Sequence, residues 1–240
     1  MRRFFAENLD TAGDEILLTG DEARHIASVL RMRPGDEVLL IDGAGGECVS
    51  CIESVSSDEV RLHVTQRRSC ASEPDVHVTL FQCLPKQGKM ELIIQKCVEL
   101  GVWEIVPTVS RRCVAKPDGM QNKLIRYNKV SREAAKQCGR AFSPAVTEPR
   151  DLANVDFSGF DLVLIPYENE DELTLKKLLR GAEAPASIAV VIGPEGGFDP
   201  REVQRVVSLG GRAVSLGKRI LRTETAGLAC IAQIMYELEQ

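Results

Sequence analysis

At 240 residues, with 44% apolar and 27% charged side chains, the chain has material for one large or two small domains and lacks the charge bias of a disordered one. A formal net charge of −5 excludes a protein that coats nucleic acid by overall basicity, so phosphate contacts would need a segregated positive surface. No apolar run reaches membrane-spanning length and the first ten residues carry no apolar signal-type core, so a cytoplasmic protein with reduced cysteines is expected.

Residues 1–70 read as a small, mostly β domain. Glu15 to Leu18 form a strand, and residues 21–32 a short helix with Ala23, Ile26, Ala27 and Leu30 on one face. Pro34-Gly35-Asp36 turns the chain into the alternating strand 37–41. A connection over 43–46 leads to strands over 48–55 and 60–64, a spacing that suggests a compact barrel. Arg2, Arg3, Arg24, His25, Arg31 and Arg33 gather before the first strand and on or beside the helix. They are candidates to hold RNA phosphates, and also what a solvated face would carry. Cys48 and Cys51 have metal-like spacing, but residues three apart in a strand point to opposite faces, so no metal is expected.

The polar stretch around Pro74 marks a boundary, with residues 71–75 as linker and 76–240 as the second domain. Residues 76–84 form a strand with the apolar run Val78 to Phe81. Lys86-Gln87-Gly88-Lys89 then leads into a helix with Met90, Ile93, Ile94, Cys97 and Leu100 on one stripe. Gly101 ends that helix, and residues 103–107 are the next strand, a βαβ unit that implies a parallel sheet. Lys86 and Lys89 then stand at a strand's carboxyl end, where substrate is expected. Between 111 and 140, nine Lys and Arg face only Asp118 and Glu133. Arg126, Lys129, Glu133, Lys136, Gln137 and Arg140 recur at helical spacing on one face, either an RNA surface or a solvated one.

Residues 161–168 are a strand and its exit loop, and 173–179 a helix. Val190-Val191-Ile192 then enters the loop Gly193-Pro194-Glu195-Gly196-Gly197-Phe198. Asp199-Pro200-Arg201-Glu202 reads as a helix start, with an Asp N-cap, Pro at the first position and Glu for a capping box. Residues 213–216 are a short strand broken by Gly217. Thr223 is expected to cap a last helix with Leu228, Ile231, Ala232, Met235 and Leu238 on one stripe. Two strand–loop–helix turns within forty residues suggest a ligand site at the carboxyl ends of adjacent strands in an open α/β sheet. Gly193, Gly196 and Gly197 leave backbone amides uncovered there, and neither the Walker nor the dinucleotide fingerprint is present.

I-G-P-E-G-G-F at 192–198 followed by L-G-x-x-I-L-R-x-E-T-A at 216–226 resembles the SPOUT superfamily of S-adenosylmethionine-dependent RNA methyltransferases. Within it, the resemblance is to the family that methylates N3 of a uridine in 16S ribosomal RNA, ribosomal RNA small subunit methyltransferase E. K-Q-G-K-M-E-L-I-I-Q-K-C-V-E-L-G-V-W-E-I-V-P is similar to the same family. So is R-E-A-A-K-Q-C-G-R, with Cys138 where a Ser is commoner. R-x-R-P-G-D-x-V-x-L-x-D-G at 31–43 looks like the family's PUA-like barrel.

The resemblance implies an α/β fold with a SPOUT-type parallel sheet and a C-terminal trefoil knot, preceded by a small PUA-like β-barrel. It also implies a homodimer, S-adenosylmethionine as cofactor, 16S rRNA in the small ribosomal subunit as partner, and neither membrane nor metal. The cofactor slot is expected between Ile192, Gly193, Pro194, Glu195, Gly196 and Gly197 on one side and Leu216, Gly217, Ile220, Leu221, Arg222, Thr223, Thr225 and Ala226 on the other. Ile165, Pro166, Tyr167 and Glu168 close a third edge. RNA contacts are expected from Arg2, Arg3, Arg24, His25, Arg31, Lys86, Lys89, Arg126, Lys136, Gln137 and Arg140.

Methyl transfer from a sulfonium needs alignment and exclusion of water rather than a metal. Uridine N3 must lose its proton, and Glu133, Glu195 and Glu224 are the candidate bases or orienting groups. Glu195 and Glu224 equally suit capping or loop bracing. Arg140 and Arg222 are expected to stabilise charge on the uracil oxygens. Two other readings are a non-catalytic RNA-binding or assembly factor, which the intact pair of loops disfavours, and a methyltransferase of the superfamily with another RNA target. The PUA-like front end and the R-E-A-A-K-Q segment disfavour the latter.

Overall fold

The computed structural model describes residues 1–6, 9, 13–86, 88–181 and 184–239; Gln87, in the expected turn before the first long helix, lies outside them. The chain divides into two compact units, Met1–Glu73 with Ala135–Ser143, and Pro74–Ala134 with Pro144–Gln240.

In the first unit, β1 (Arg2–Phe5), β2 (Glu15–Thr19), β3 (Glu37–Ile41), β4 (Gly46–Val55) and β5 (Glu59–Ser69) make, among the described residues, a five-stranded sheet ordered β1-β3-β4-β5-β2. β1 runs parallel to β3 and the other pairs are antiparallel. Register shifts at Val49/Ser50 and Ile52/Ser54 bend the long β4–β5 hairpin, so the sheet curls over Phe4, Ile16, Leu40, Ile52 and Leu62. The single helix expected over 21–32 is instead α1 (Gly20–Arg24) running into a π-helical turn, His25–Leu30. Ala23 and Ile26 are buried, while the wider turn leaves Ala27 half-exposed.

The second unit is a parallel α/β sheet. In chain order come β6 (His77–Cys83), α2 (Lys89–Glu99), β7 (Glu104–Val109), α3 (Met120–Cys138), β8 (Ala145–Val146), β9 (Arg150–Asp151) and β10 (Leu162–Pro166). α4 (Leu175–Arg180), β11 (Ser187–Ile192), α5 (Pro200–Ser208), β12 (Arg212–Val214) and α6 (Thr223–Leu238) follow. Among the described residues, seven strands pair in the order β12-β10-β11-β6-β7-β8, with β9 beside β7, and every pairing is parallel. β11 and β6 read as near-continuous apolar runs because helices cover both faces of the sheet's centre. α5 starts as its sequence predicts, with the Asp199–Glu202 capping box and Pro200 in the first turn.

α6 differs from expectation at its first residue. It begins at Thr223 with Arg222 in the cap position, and no side chain caps it. The Thr223 hydroxyl points inward to other partners, described below. The buried stripe of α6 is Gly227, Cys230, Ile231, Ile234 and Met235, while Leu228, Ala232 and Leu238 are half-exposed.

Candidate functional site

The order of the sheet sets three exit loops side by side: those after β10, β11 and β12. They enclose a cleft of about 590 Å³ at the carboxyl ends of the strands, within the roughly 300–1,000 Å³ of small-molecule sites. Ile192, Gly193, Pro194, Glu195, Gly196, Gly197 and Phe198 line one wall. Ser215 to Thr223 and Ala226 line the other, and Pro166, Tyr167 and Glu168 close the third edge. Of the expected slot residues, Ile165 is instead buried in the core, and Thr225 lies exposed on α6 outside the lining.

Two glycines explain why this wall is main chain. A Cβ at Gly193 would stand 3.0 Å from the Phe198 ring, and Gly197 takes φ +67 with Glu168 Oε1 2.6 Å from where its Cβ would be. On the opposite wall, the backbone amides of Leu216 and of Lys218 to Leu221 make no hydrogen bond among the described residues. Unengaged donors beside apolar Ile220 and Leu221 suit a ligand with ring-nitrogen acceptors and a flat apolar face.

A hydrogen-bonded chain joins the walls from beneath. Gln82 Nε2 donates to Thr223 Oγ1 at 3.0 Å, and Thr223 Oγ1 donates to the Gly193 carbonyl at 2.6 Å. Both side chains are buried.

At the mouth, Lys89 Nζ stands 3.0 Å from Glu224 Oε2 and 3.5 Å from Glu195 Oε1, and Glu195 Oε1 also accepts from the Lys86 amide at 2.9 Å. Burial pushes the Glu195 carboxyl up, but the Lys86 amide and the Lys89 ammonium outweigh it and hold it below its ordinary value. Burial likewise raises Glu224, and its own amide, Lys89 and Arg222 turn the balance downward. Both are therefore carboxylates at neutral pH.

Behind the glycine loop, Arg112 donates to the Gly196 carbonyl at 3.2 Å. Next to it, Cys113 Sγ accepts from the Ser110 amide at 3.4 Å. A hydrogen bond from the buried Cys83 thiol, with help from Ser110, lowers the Cys113 thiol to about 6, while Cys83 itself is pushed well up.

The remaining candidates do not join the cleft lining. Glu133 is exposed on α3, and Arg126 pairs with Glu91 at 2.8 Å. Lys136 Nζ is held by both oxygens of Glu22, at 2.7 and 2.9 Å, and lies over the Phe4 ring. Arg140 leaves the helical face it was expected to share. The helix ends at Cys138, Gly139 takes φ +92, and Arg140 is 3% exposed with Nε 2.9 Å from Glu73 Oε2. Arg2, Arg24, Arg31, Lys86 and Gln137 are exposed, Arg24 beside Asp21 and Asp58. His25 packs edge-on against Phe4, and Arg3 stands 3.9 Å from Glu47.

Gln82, Phe198, Ser215, Lys218 and Arg219 belong to the cleft or its support without having been singled out as site residues. The signal for Gln82 is a long polar side chain inside the run V-T-L-F-Q-C, where a strand buried on both faces should be apolar.

Comparison with known proteins agrees with both units. The RNA methyltransferase domain model matches residues 72–235, and the RNA methyltransferase PUA domain model matches residues 18–65. Ribosomal RNA small subunit methyltransferase E of Bacillus subtilis is 32% identical over 250 residues, covering 100% of this chain and 98% of that protein. The protein of the same name from Mycobacterium bovis is 33% identical, covering 96% of this chain and 90% of its own. A crystal structure of ribosomal RNA small subunit methyltransferase E from Neisseria gonorrhoeae bound to S-adenosyl methionine superposes with a TM-score of 0.84 at 31% identity, covering 98% of this chain and 97% of that one.

Proposed function

Since the chain belongs to the ribosomal RNA small subunit methyltransferase E family, we propose that it methylates N3 of a uridine in 16S ribosomal RNA with S-adenosylmethionine as donor. The observation that carries this reading is the cleft between the 193–198 and 215–223 loops, whose walls are glycine backbone and unengaged amides. When bound, the cofactor supplies an electrophilic methyl on a sulfonium. The amides of Leu216 and of Lys218 to Leu221 offer donors for adenine, and Ile220 and Leu221 an apolar face for it.

Arg222, an exposed cation within the lining, is the residue assigned to charge developing on the uracil oxygens. Lys89 pairs with both Glu195 and Glu224, so these two carboxylates brace the mouth, although each remains able to accept a hydrogen bond from substrate. Glu133, outside the lining, acts as base only if a second copy of the chain brings it to the cleft, as the homodimer of this reading requires. Arg140 is proposed as structural, because its guanidinium is committed to Glu73.

The same reading carries a trefoil knot in the 76–240 segment, a closed PUA-like barrel over residues 1–70 that grips RNA through Arg2, Arg24 and Arg31, and a cytoplasmic location. Mass mapping of small-subunit rRNA from cells with and without this protein tests it. One uridine lacking a single methyl in the deleted strain supports the reading, and an unchanged rRNA sinks it.

A further inference from the structure

Two features that cost stability meet at one side chain outside the cleft. Gln82 is fully buried at the end of β6, and its Oε1 has no hydrogen-bond partner among the described residues. An unmatched acceptor in the interior is destabilising, and such groups are rare enough to need a reason. Facing it, α6 carries Gly227 in its interior, where glycine weakens a helix relative to alanine. A Cβ on Gly227 would stand 3.2 Å from that same Oε1, tight enough that the amide would have to move. An apolar residue at 82 would remove the first penalty and alanine at 227 the second. Local rules broken together at one place are the mark of a functional constraint.

The other end of the amide shows what the arrangement secures. Gln82 Nε2 donates to Thr223 Oγ1, which leaves the single hydroxyl proton of Thr223 to go to the Gly193 carbonyl. Gly193 lies in one wall of the cleft and Thr223 in the other. Without the amide, the hydroxyl can rotate and the two walls lose their tie.

We propose that Gln82 is a positioning residue: by fixing the direction of the Thr223 hydroxyl it sets the separation of the two walls, and with it the affinity for S-adenosylmethionine. This rests on the cofactor reading above. Titration calorimetry with S-adenosylmethionine, paired with thermal unfolding of the same full-length samples, tests it. Gln82→Met keeps the volume and removes the amide, whereas Gly227→Ala keeps the amide and displaces it by pushing on Oε1.

Both variants are expected to bind the cofactor at least about tenfold more weakly while their unfolding midpoints stay level or rise by roughly 2–4 °C. Thr223→Val is expected to lose as much affinity as Gln82→Met, and Thr223→Ser to recover most of what Thr223→Val loses. The Gln82→Met/Thr223→Val double variant should be no weaker than either single one. Unaltered affinity in Gln82→Met or Gly227→Ala, or affinity lost only in step with a falling midpoint, overturns the positioning role. If Gln82→Met does not fold, Gly227→Ala and the two Thr223 variants decide alone. No binding heat from the wild-type protein overturns the cofactor reading itself, a result distinct from binding that the variants leave unchanged.

Discussion

Lys89 reaches across the mouth of the cleft to Glu224, Nζ to Oε2 at 3.0 Å, and so ties the start of α2 to the start of α6. Glu195 of the glycine loop stands 3.5 Å from the same ammonium. Lys89→Met leaves two carboxylates facing one another with no cation between them. The expected loss is about 1–2 kcal/mol at neutral pH, read as a lower urea midpoint. The acid side follows from the sign of the shifts. Both carboxyls are depressed in the folded state, so their contribution is complete above the ordinary carboxylate value and is lost as pH falls through the depressed ones. Wild type should therefore lose more stability than Lys89→Met over that acid interval.

Gly197→Ala places a side chain where φ is +67 and Glu168 Oε1 is 2.6 Å away. The left-handed backbone alone costs roughly 1–2 kcal/mol, and displacing Glu168 moves the third edge of the cleft. Cofactor affinity is expected to fall about tenfold by calorimetry. Gly196→Ala, whose Cβ would meet Arg112 Cβ at an ordinary 3.4 Å, should destabilise less.

Arg222 and Arg140 should separate cleanly. Arg222→Ala removes an exposed cation from the cleft lining, so stability stays within about 0.5 kcal/mol. Single-turnover methyl transfer should then drop by about 10² or more. Arg140→Ala strips the guanidinium from a carboxylate that also accepts from the Ala141 and Phe142 amides, each at 2.9 Å. Breaking such a buried pair costs about 3–5 kcal/mol in urea unfolding, and its activity should follow the folded fraction.

Cys113 should alkylate with a pH midpoint of about 6, because Cys83 and Ser110 donate to its sulfur. Cys230, pushed up to about 12 by complete burial, should stay unlabelled in the native protein. Iodoacetamide labelling followed by peptide mass analysis across pH reads both.

What was legible in the sequence is what neighbouring residues decide. The unit β6–α2–β7 was readable because the apolar stripe Met90, Ile93, Ile94 and Cys97 and the break at Gly101 are local, as is the α5 cap at Asp199; Leu100, expected on that stripe, is the half-exposed cap residue instead. Where a distant partner decides, sequence reading missed. Arg140 continues the helical spacing of Lys136, but Gly139 stops the helix first. Its carboxylate partner, Glu73, sits 67 residues away in a stretch that reads as linker. Thr223 looks like a cap by position, and only the approach of Gln82, 141 residues earlier, turns its hydroxyl to Gly193. The two loops that line the cleft announce themselves with glycines, whereas the hydrogen bonds beneath them carry no local mark.

The two sides of the cleft are not held equally. β11, which delivers the glycine loop, is gripped by β10 on one flank and β6 on the other, while β12 is the outermost strand and meets β10 over only Arg212 to Val214. Thermal breathing is cheapest where the fewest ladder bonds must break. Ser215 is still pinned to Leu173 and Leu175 by backbone hydrogen bonds, so a guest wider than the resting gap is expected to be admitted by residues 216–222 of the far wall, with the glycine loop as the fixed side.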